Sequence, residues 1–105
     1  MSRYLFLLTV LFCSCVSPSD ESAHQSYTVE IKGMKFQPAE ITVQKGDTVV
    51  WINRDMVDHD VTEEKNKEWT SSVLAPGKSW SMVAEKGADY FCSLHRVMKA
   101  KLIVK

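Results

Sequence analysis

Three residues near the C-terminus, Cys92, His95 and Met98, carry side chains that bind metal ions, and two residues separate each from the next. A fourth, His59, follows a β-prone run that contains Trp51. Together they offer one thiolate, one thioether and two imidazole nitrogens. Two His and one Cys in a plane, with a distant axial Met, form the ligand set of a blue-copper site. Because a thioether adds little to a zinc site, this set favours copper.

A tight loop between strands can place three of these ligands on one side of a metal ion, while the fourth comes from a distant part of the chain. Such a frame fixes the metal to the fold and holds both oxidation states in nearly one geometry. Little then moves when an electron is gained or lost, which is what an electron carrier requires. Cys92 is expected to bind as the thiolate, because metal binding displaces the thiol proton.

The elements that must position these residues have the period of β-strands. Tyr27, Val29 and Ile31 alternate with polar residues, and residues 48–53 are strongly β-prone. Shorter strand-like runs, separated by turn signals, lie at residues 41–43, 69–74, 79–83, 89–92 and 101–104. No segment has helical periodicity over ten residues. The sequence therefore predicts an all-β sandwich of seven or eight strands.

Composition narrows the function further. The chain has 105 residues, enough for one domain. It has 13 basic and 13 acidic residues, which argues against a nucleic-acid binder, since that would need a basic excess on one face. A multicopper oxidase needs His-x-His pairs and more domains, so we expect no enzyme activity.

Two groups of side chains have structural interpretations. The segment 58–68 is charge-rich and is predicted to be a solvated loop; the alternative is a docking patch for a basic partner such as a c-type cytochrome. Its acidic residues are Asp58, Asp60, Glu63, Glu64 and Glu68. Met34, Met56 and Met82 are expected to pack in the core.

The N-terminus has the pattern of an export signal. Residues 4–13 form a nearly unbroken apolar run after Arg3. This run is about half as long as a membrane-spanning helix. A basic start, an apolar centre and small residues after it are typical of a secretory signal peptide, here expected at residues 1–14.

The end of the predicted signal resembles a bacterial lipobox. Ser14 precedes Cys15, with Phe12 where such motifs usually have Leu. We therefore expect Cys15 to be lipidated and to anchor the chain to a membrane, followed by a flexible polar tether at residues 15–26. Cleavage near Ser19 is the alternative and would release a soluble protein.

The three cysteines then have separate fates. Cys13 leaves with the signal, Cys15 is capped by lipid, and Cys92 remains as the one free thiol of the domain. A lone thiol outside the cytosol has no disulfide partner and is exposed to oxidation. A bound metal ion would explain how Cys92 is retained.

The segment 27–105 resembles the cupredoxins, the small blue copper proteins of the plastocyanin and azurin superfamily. The motifs that carry the resemblance lie at residues 34–38, 41–43, 46–55, 59–61, 74–77 and 87–92. The short C-x2-H-x2-M loop is most similar to that of amicyanin, since plastocyanin and pseudoazurin have two more residues between His and Met. The resemblance implies a Greek-key β-sandwich with one type 1 copper ion, and His59, Cys92, His95 and Met98 as its ligands.

The resemblance also implies a function. Such a protein transfers single electrons between redox proteins outside the cytoplasm, for example a c-type cytochrome, a dehydrogenase or an oxidase, and is a monomer in the bacterial periplasm or on a lipid anchor. Partners would dock on an apolar patch around His95 formed by Val57, Leu94 and Val97, with basic residues at its rim. The alternative is a copper carrier that delivers the ion to another protein.

Two positions beside the ligands depart from the family. Asp60 stands where an Asn usually tethers the two ligand loops, and a carboxylate near copper should favour the oxidised ion. Leu94 stands where amicyanin-like loops often have Pro. Unlike Pro, Leu94 has a backbone N–H, which could point at the Cys92 sulfur and raise the reduction potential. The two effects oppose each other, so the sequence leaves the sign of the net shift open.

Overall fold

The computed structural model describes residues 23–105, which form eight strands in two four-stranded sheets. The strands are β1 (Ser26–Ile31), β2 (Phe36–Gln37), β3 (Glu40–Val43), β4 (Thr48–Asn53), β5 (Thr62–Glu63), β6 (Ser79–Val83), β7 (Ala88–Cys92) and β8 (His95–Val104). The predicted all-β sandwich is confirmed, with the higher of the two expected strand counts. Within residues 23–105, no helix is long and apolar enough to cross a membrane.

The predicted signal peptide, Cys15 and most of the predicted tether lie outside the described residues. At Gln25 the chain is already hydrogen-bonded to the domain. The backbone N–H of Gln25 donates to the buried carboxylate of Asp47, which also accepts from the N–H of Gln44. These two hydrogen bonds hold the pKa of Asp47 below its ordinary value.

The order of strands is β2-β1-β4-β6 in one sheet and β3-β8-β7-β5 in the other. β1 pairs with β4 and β3 pairs with β8 in parallel, and the other pairs are antiparallel. Parallel neighbours cannot be joined by a tight hairpin. The chain therefore crosses repeatedly between the sheets, which gives the predicted Greek-key sandwich and brings the end of β4 near the β7–β8 turn.

The core lies between the sheets and follows the period of two in the strands. On β4, Val49, Trp51 and Asn53 are buried and alternate with half-buried residues. Trp69 and Trp80 cover the Trp51 ring, with centroid distances of 6.2 and 5.5 Å. This aromatic packing fixes the strand that leads into the first ligand loop.

The prediction of a solvated acidic loop at 58–68 is wrong for part of that segment. It contains β5, which pairs with β7, and Asp60 and Glu63 are only 5% and 7% exposed. Burial raises the pKa of Glu63, but hydrogen bonds from the backbone N–H groups of Asn66 and Glu68 outweigh it and lower the pKa. Both carboxylates were misread because a charge-rich run does not reveal which of its members find backbone donors.

Candidate metal centre

The first ligand loop is held by Asn53, the fully buried last residue of β4. Its side-chain amide donates to the carbonyl oxygens of Val57 and Leu74, each at 2.8 Å, and its Oδ1 accepts the N–H of Asp55 at 2.9 Å. One side chain thus ties the loop to itself and to the segment beside it. The sequence offered no signal for this role beyond a polar residue at the end of an apolar strand.

His59 lies on this loop, six residues after β4 ends. It exchanges two backbone hydrogen bonds with Leu74, of 3.1 and 2.7 Å, and its side chain is completely buried. The backbone that carries the imidazole is therefore held in place, and burial limits the movement of the ring.

The second ligand loop is the turn between β7 and β8. Cys92 ends β7, His95 begins β8, and the two residues pair across a two-residue turn. The next pair is Phe91 with Lys99. From one pair to the next, the chain advances one residue on β7 but four residues on β8. The extra residues interrupt the alternation of side chains, so that Arg96 and Val97 are both exposed. Alternation resumes at Met98, which is buried in the core cluster.

The two loops bring three of the predicted ligands together. The Cys92 Sγ lies 3.7 Å from the Nδ1 of His59 and 3.7 Å from the Nδ1 of His95, and the two Nδ1 atoms are 3.2 Å apart. Met98 lies buried on β8, three residues after His95. The four ligands that the family resemblance implied form one site.

The spacing of the donor atoms fits a metal ion. The point equidistant from the three atoms is about 2 Å from each, which is close to the usual metal–imidazole bond length. Two imidazoles and a thiolate, with a thioether nearby, are the soft-to-borderline donors that suit copper. The residues present therefore fit a copper ion.

The outer edge of His59 contacts a carboxylate that the sequence did not point to. His59 Nε2 donates to Asp55 Oδ2 at 2.8 Å, which leaves Nδ1 as the free ligand atom. Asp55 also accepts the backbone N–H groups of Gly33 and Met34, at 2.7 and 3.0 Å. Burial raises the pKa of Asp55, but these hydrogen bonds outweigh it, so the pKa lies below its ordinary value and the group is ionised at neutral pH.

Asp60 joins the two ligand loops. Its carboxylate accepts hydrogen bonds from the N–H and hydroxyl of Ser93 and from the hydroxyl of Thr62, and its backbone N–H donates to the Cys92 Sγ at 3.4 Å. Within residues 23–105, the backbone donor to this sulfur is Asp60, and no bond from Leu94 is found. The expected Leu94 contact is therefore absent, and a neighbour supplies the donor.

Exposed apolar residues lie beside both ligand loops. Leu94 and Val57 are about half exposed and Val97 is 92% exposed, while His95 is half-buried between them in sequence. The expectation that Met34 and Met56 pack in the core is wrong. Met56 is 91% exposed and Met34 is also exposed. Met34 lies in the turn between β1 and β2 and Met56 lies on the first ligand loop, so both are outside the two sheets.

An eight-stranded β-sandwich with a His-Cys-His-Met site between two loops defines a class of small copper-binding proteins. A family model described as a cupredoxin-like domain matches residues 4–104. The chain belongs to the cupredoxin family, and its cofactor is one copper ion.

Several relatives are amicyanins. The chain is 32% identical to amicyanin from Paracoccus denitrificans over 91 residues, which covers 81% of this chain and 70% of the relative. It is 27% identical to amicyanin from Paracoccus versutus, with coverage of 93% and 78%. A solved amicyanin variant, in its reduced Cu(I) form at pH 4, has a TM-score of 0.71 at 28% identity, with coverage of 81% and 87%.

The fold also occurs within a larger protein. A copper-containing nitrite reductase from Thermus scotoductus has a TM-score of 0.70 at 23% identity, and the match covers 76% of this chain but 22% of the reductase. At that identity the likeness concerns the fold alone.

The role of Asn53 in holding the first ligand loop is testable. Asn53→Ala is expected to lower the free energy of unfolding of the apo-protein by about 3 kcal/mol, because buried backbone groups lose their partners. Urea unfolding measures this. Asn66→Ala, in an exposed turn, is the matched control and should change stability by less than about 0.5 kcal/mol. Equal losses for the two variants would contradict the role assigned to Asn53.

Proposed function

We propose that this chain is a type 1 copper protein that carries single electrons between redox proteins outside the cytoplasm. The observation that carries the proposal is the triangle of Cys92 Sγ and the Nδ1 atoms of His59 and His95, with Met98 buried nearby. When bound, copper would supply the change between Cu(I) and Cu(II). Cys92, His59, His95 and Met98 would be the residues that hold it.

The surrounding frame supports fast electron exchange. The ligand loops are tied by Asn53, by the backbone pairing of His59 with Leu74, and by the hydrogen bonds of Asp60 to Ser93. A site held on several sides reorganises little when its charge changes. Little reorganisation is the property that an electron carrier needs, and a carrier needs no substrate pocket beside the metal.

The route for electrons would pass through His95. His59 is completely buried, whereas His95 is half-buried at the start of β8. Val57, Leu94 and Val97 offer exposed apolar surface on the two ligand loops, and the exposed basic residues Arg54, Arg96 and Lys99 lie close to them in sequence. A small apolar patch suits brief encounters with redox partners rather than a permanent complex.

We place the domain outside the cytoplasm on the basis of the apolar run at residues 4–13 and the lipobox-like Ser14-Cys15. A lipid on Cys15, followed by a tether that ends before Gln25, would keep the carrier at a membrane surface while the domain turns freely. This arrangement raises its encounter rate with partners in the same membrane.

The copper assignment has a direct test. The purified full chain is expected to turn intensely blue on addition of Cu(II), because the Cys92 thiolate donates charge to the metal. Cys92→Ser should bind Cu(II) without the blue colour. Cys15→Ser is the same substitution at a position outside the site, and this variant should turn blue. Visible absorption measures both. A colourless wild-type chain would falsify the type 1 assignment.

Docking through the apolar patch predicts an effect on electron self-exchange between oxidised and reduced copies. Val97→Asp should slow self-exchange at least about tenfold, since two like charges then meet at the contact. The blue colour should persist, because this side chain is exposed. Val83→Asp, an exposed valine on β6, is the control and should leave the rate within about twofold. NMR line broadening gives the rate. An equal effect of both variants would show that electron self-exchange does not use the apolar patch.

Lipidation predicts a specific product in a bacterium that processes lipoproteins. The wild-type chain should be found with the membrane fraction and begin at an acylated Cys15 by mass spectrometry. Cys15→Ser should abolish the acyl mass and the processing at that position. A soluble wild-type product that begins near Ser19 would instead support ordinary signal cleavage.

A further inference from the structure

Two carboxylates lie close to the ligands, and both are shielded from water. Asp60 is 5% exposed, and the side chain of Asp55 is 14% exposed. Asp60 touches the site through the N–H bond of its own backbone to Cys92 Sγ. Asp55 touches it through the hydrogen bond to His59 Nε2. Each lies one hydrogen-bonded step from a ligand.

Both side chains are held by neutral donors. Asp60 accepts from the N–H of Ser93 at 2.7 Å, the hydroxyl of Thr62 at 3.0 Å and the hydroxyl of Ser93. Asp55 accepts from two backbone N–H groups besides His59. Within residues 23–105, neither carboxylate forms an ion pair with a lysine or an arginine. Their negative charges are fixed in place but not cancelled.

The positive residues near the loops do not balance these charges. Arg54, Arg96 and Lys99 are exposed, so water screens their charges. Arg54 and Lys99 also pair with Glu30 and Glu64 at the surface. With copper bound, its ligands would include one thiolate and two neutral imidazoles, and the two carboxylates lie beside them. A negative excess therefore remains with either copper ion bound, and it is smaller with Cu(II).

We propose that Asp55 and Asp60 act as fixed anions that strengthen binding of Cu(II) relative to Cu(I), and so give this centre a lower reduction potential than neutral side chains would give it. The inference rests on the proposed function, because it concerns the potential of that same copper site. A fixed charge attracts a doubly charged ion about twice as strongly as a singly charged one at the same distance. The hydrogen-bond donor to the Cys92 sulfur, which acts in the opposite direction, is the backbone of Asp60 and is unaffected by substitution of the side chain.

Asp60→Asn separates charge from structure. The asparagine oxygen can still accept from the N–H of Ser93, and its amide can donate to the Ser93 hydroxyl, so the link between the loops is retained. We expect the ratio of Cu(II) affinity to Cu(I) affinity to fall at least about tenfold. For a one-electron couple, tenfold corresponds to a rise of about 59 mV in the reduction potential. Redox titration of the blue absorption measures the shift.

The control is Asp89→Asn. Asp89 lies on β7, three residues before Cys92, and its exposed side chain faces a lysine at 4.0 Å. The substitution removes the same charge by the same atoms, but water screens it. We expect its affinity ratio to stay within about twofold of wild type. A shift as large as that of Asp60→Asn would mean that overall charge, rather than the buried carboxylate, sets the potential.

A second measurement does not depend on redox activity or on the blue colour. Apo-protein is titrated with Co(II), a divalent probe, and separately with Cu(I) in competition with a chelator. Asp60→Asn should weaken Co(II) binding at least about threefold more than it weakens Cu(I) binding. Equal weakening of both ions would show that Asp60 is only a structural brace, and no weakening would show that it is silent; either result overturns the inference.

Failure of the two proposals can be distinguished. If the wild-type chain is not blue, the type 1 assignment fails, while the Co(II) and Cu(I) titrations still decide the charge effect. If the wild type is blue and Asp60→Asn has an unchanged potential, the inference alone fails. Asp55→Asn would turn its amide nitrogen either toward the N–H of Gly33 or toward those of Met34 and His59, and would so lose an acceptor. At position 55, Asp55→Asn is therefore compared with Asp55→Glu, which keeps the charge. Asp55→Glu is expected to have the reduction potential nearer to that of the wild type.

Discussion

The constraint on which the structure depends is that two imidazole nitrogens and a thiol sulfur lie within 3.7 Å of one another on two loops that are far apart in sequence. Such donors would spread apart unless the backbones beneath them were fixed. The protein fixes them by ending β4 at Asn53, whose amide holds the first loop, and by pairing Cys92 with His95 across a two-residue turn. The sandwich then serves mainly to keep these two anchor points in register.

That register comes from the strand order. β4 lies inside one sheet and β7 inside the other, so the two ligand loops leave from central strands covered by neighbours on both sides. Trp51 on β4 and Tyr90 on β7 contact each other edge to face at 5.5 Å across the core, close to the ends where the loops begin. A rigid aromatic contact between the two loop-bearing strands limits how far the ligands can separate. The core thus determines the distance between loops, and the hydrogen bonds determine the orientation of each side chain.

The ligands could be read from the sequence, whereas the groups that hold them could not. The spacing of Cys92, His95 and Met98 needs only a turn to bring donors together, and period-two alternation predicts the strands around it. Asp55 and Asn53 act across loops whose path depends on the fold, so no local pattern marks them. Asp60 was found by its departure from a family motif, but its burial was not foreseen, because it belongs to a charge-rich run.

The buried carboxylates link the stability of the fold to the reduction potential of the copper site. Burying an ionised group without a counter-charge is costly, and hydrogen bonds from neutral donors offset only part of that cost. Asp60 and Asp55 have such donors but no lysine or arginine partner within the described residues. A cation in the site would supply the missing attraction. That attraction would be greater for Cu(II) than for Cu(I), so that the stability of the loaded protein and its reduction potential would depend on the same two side chains.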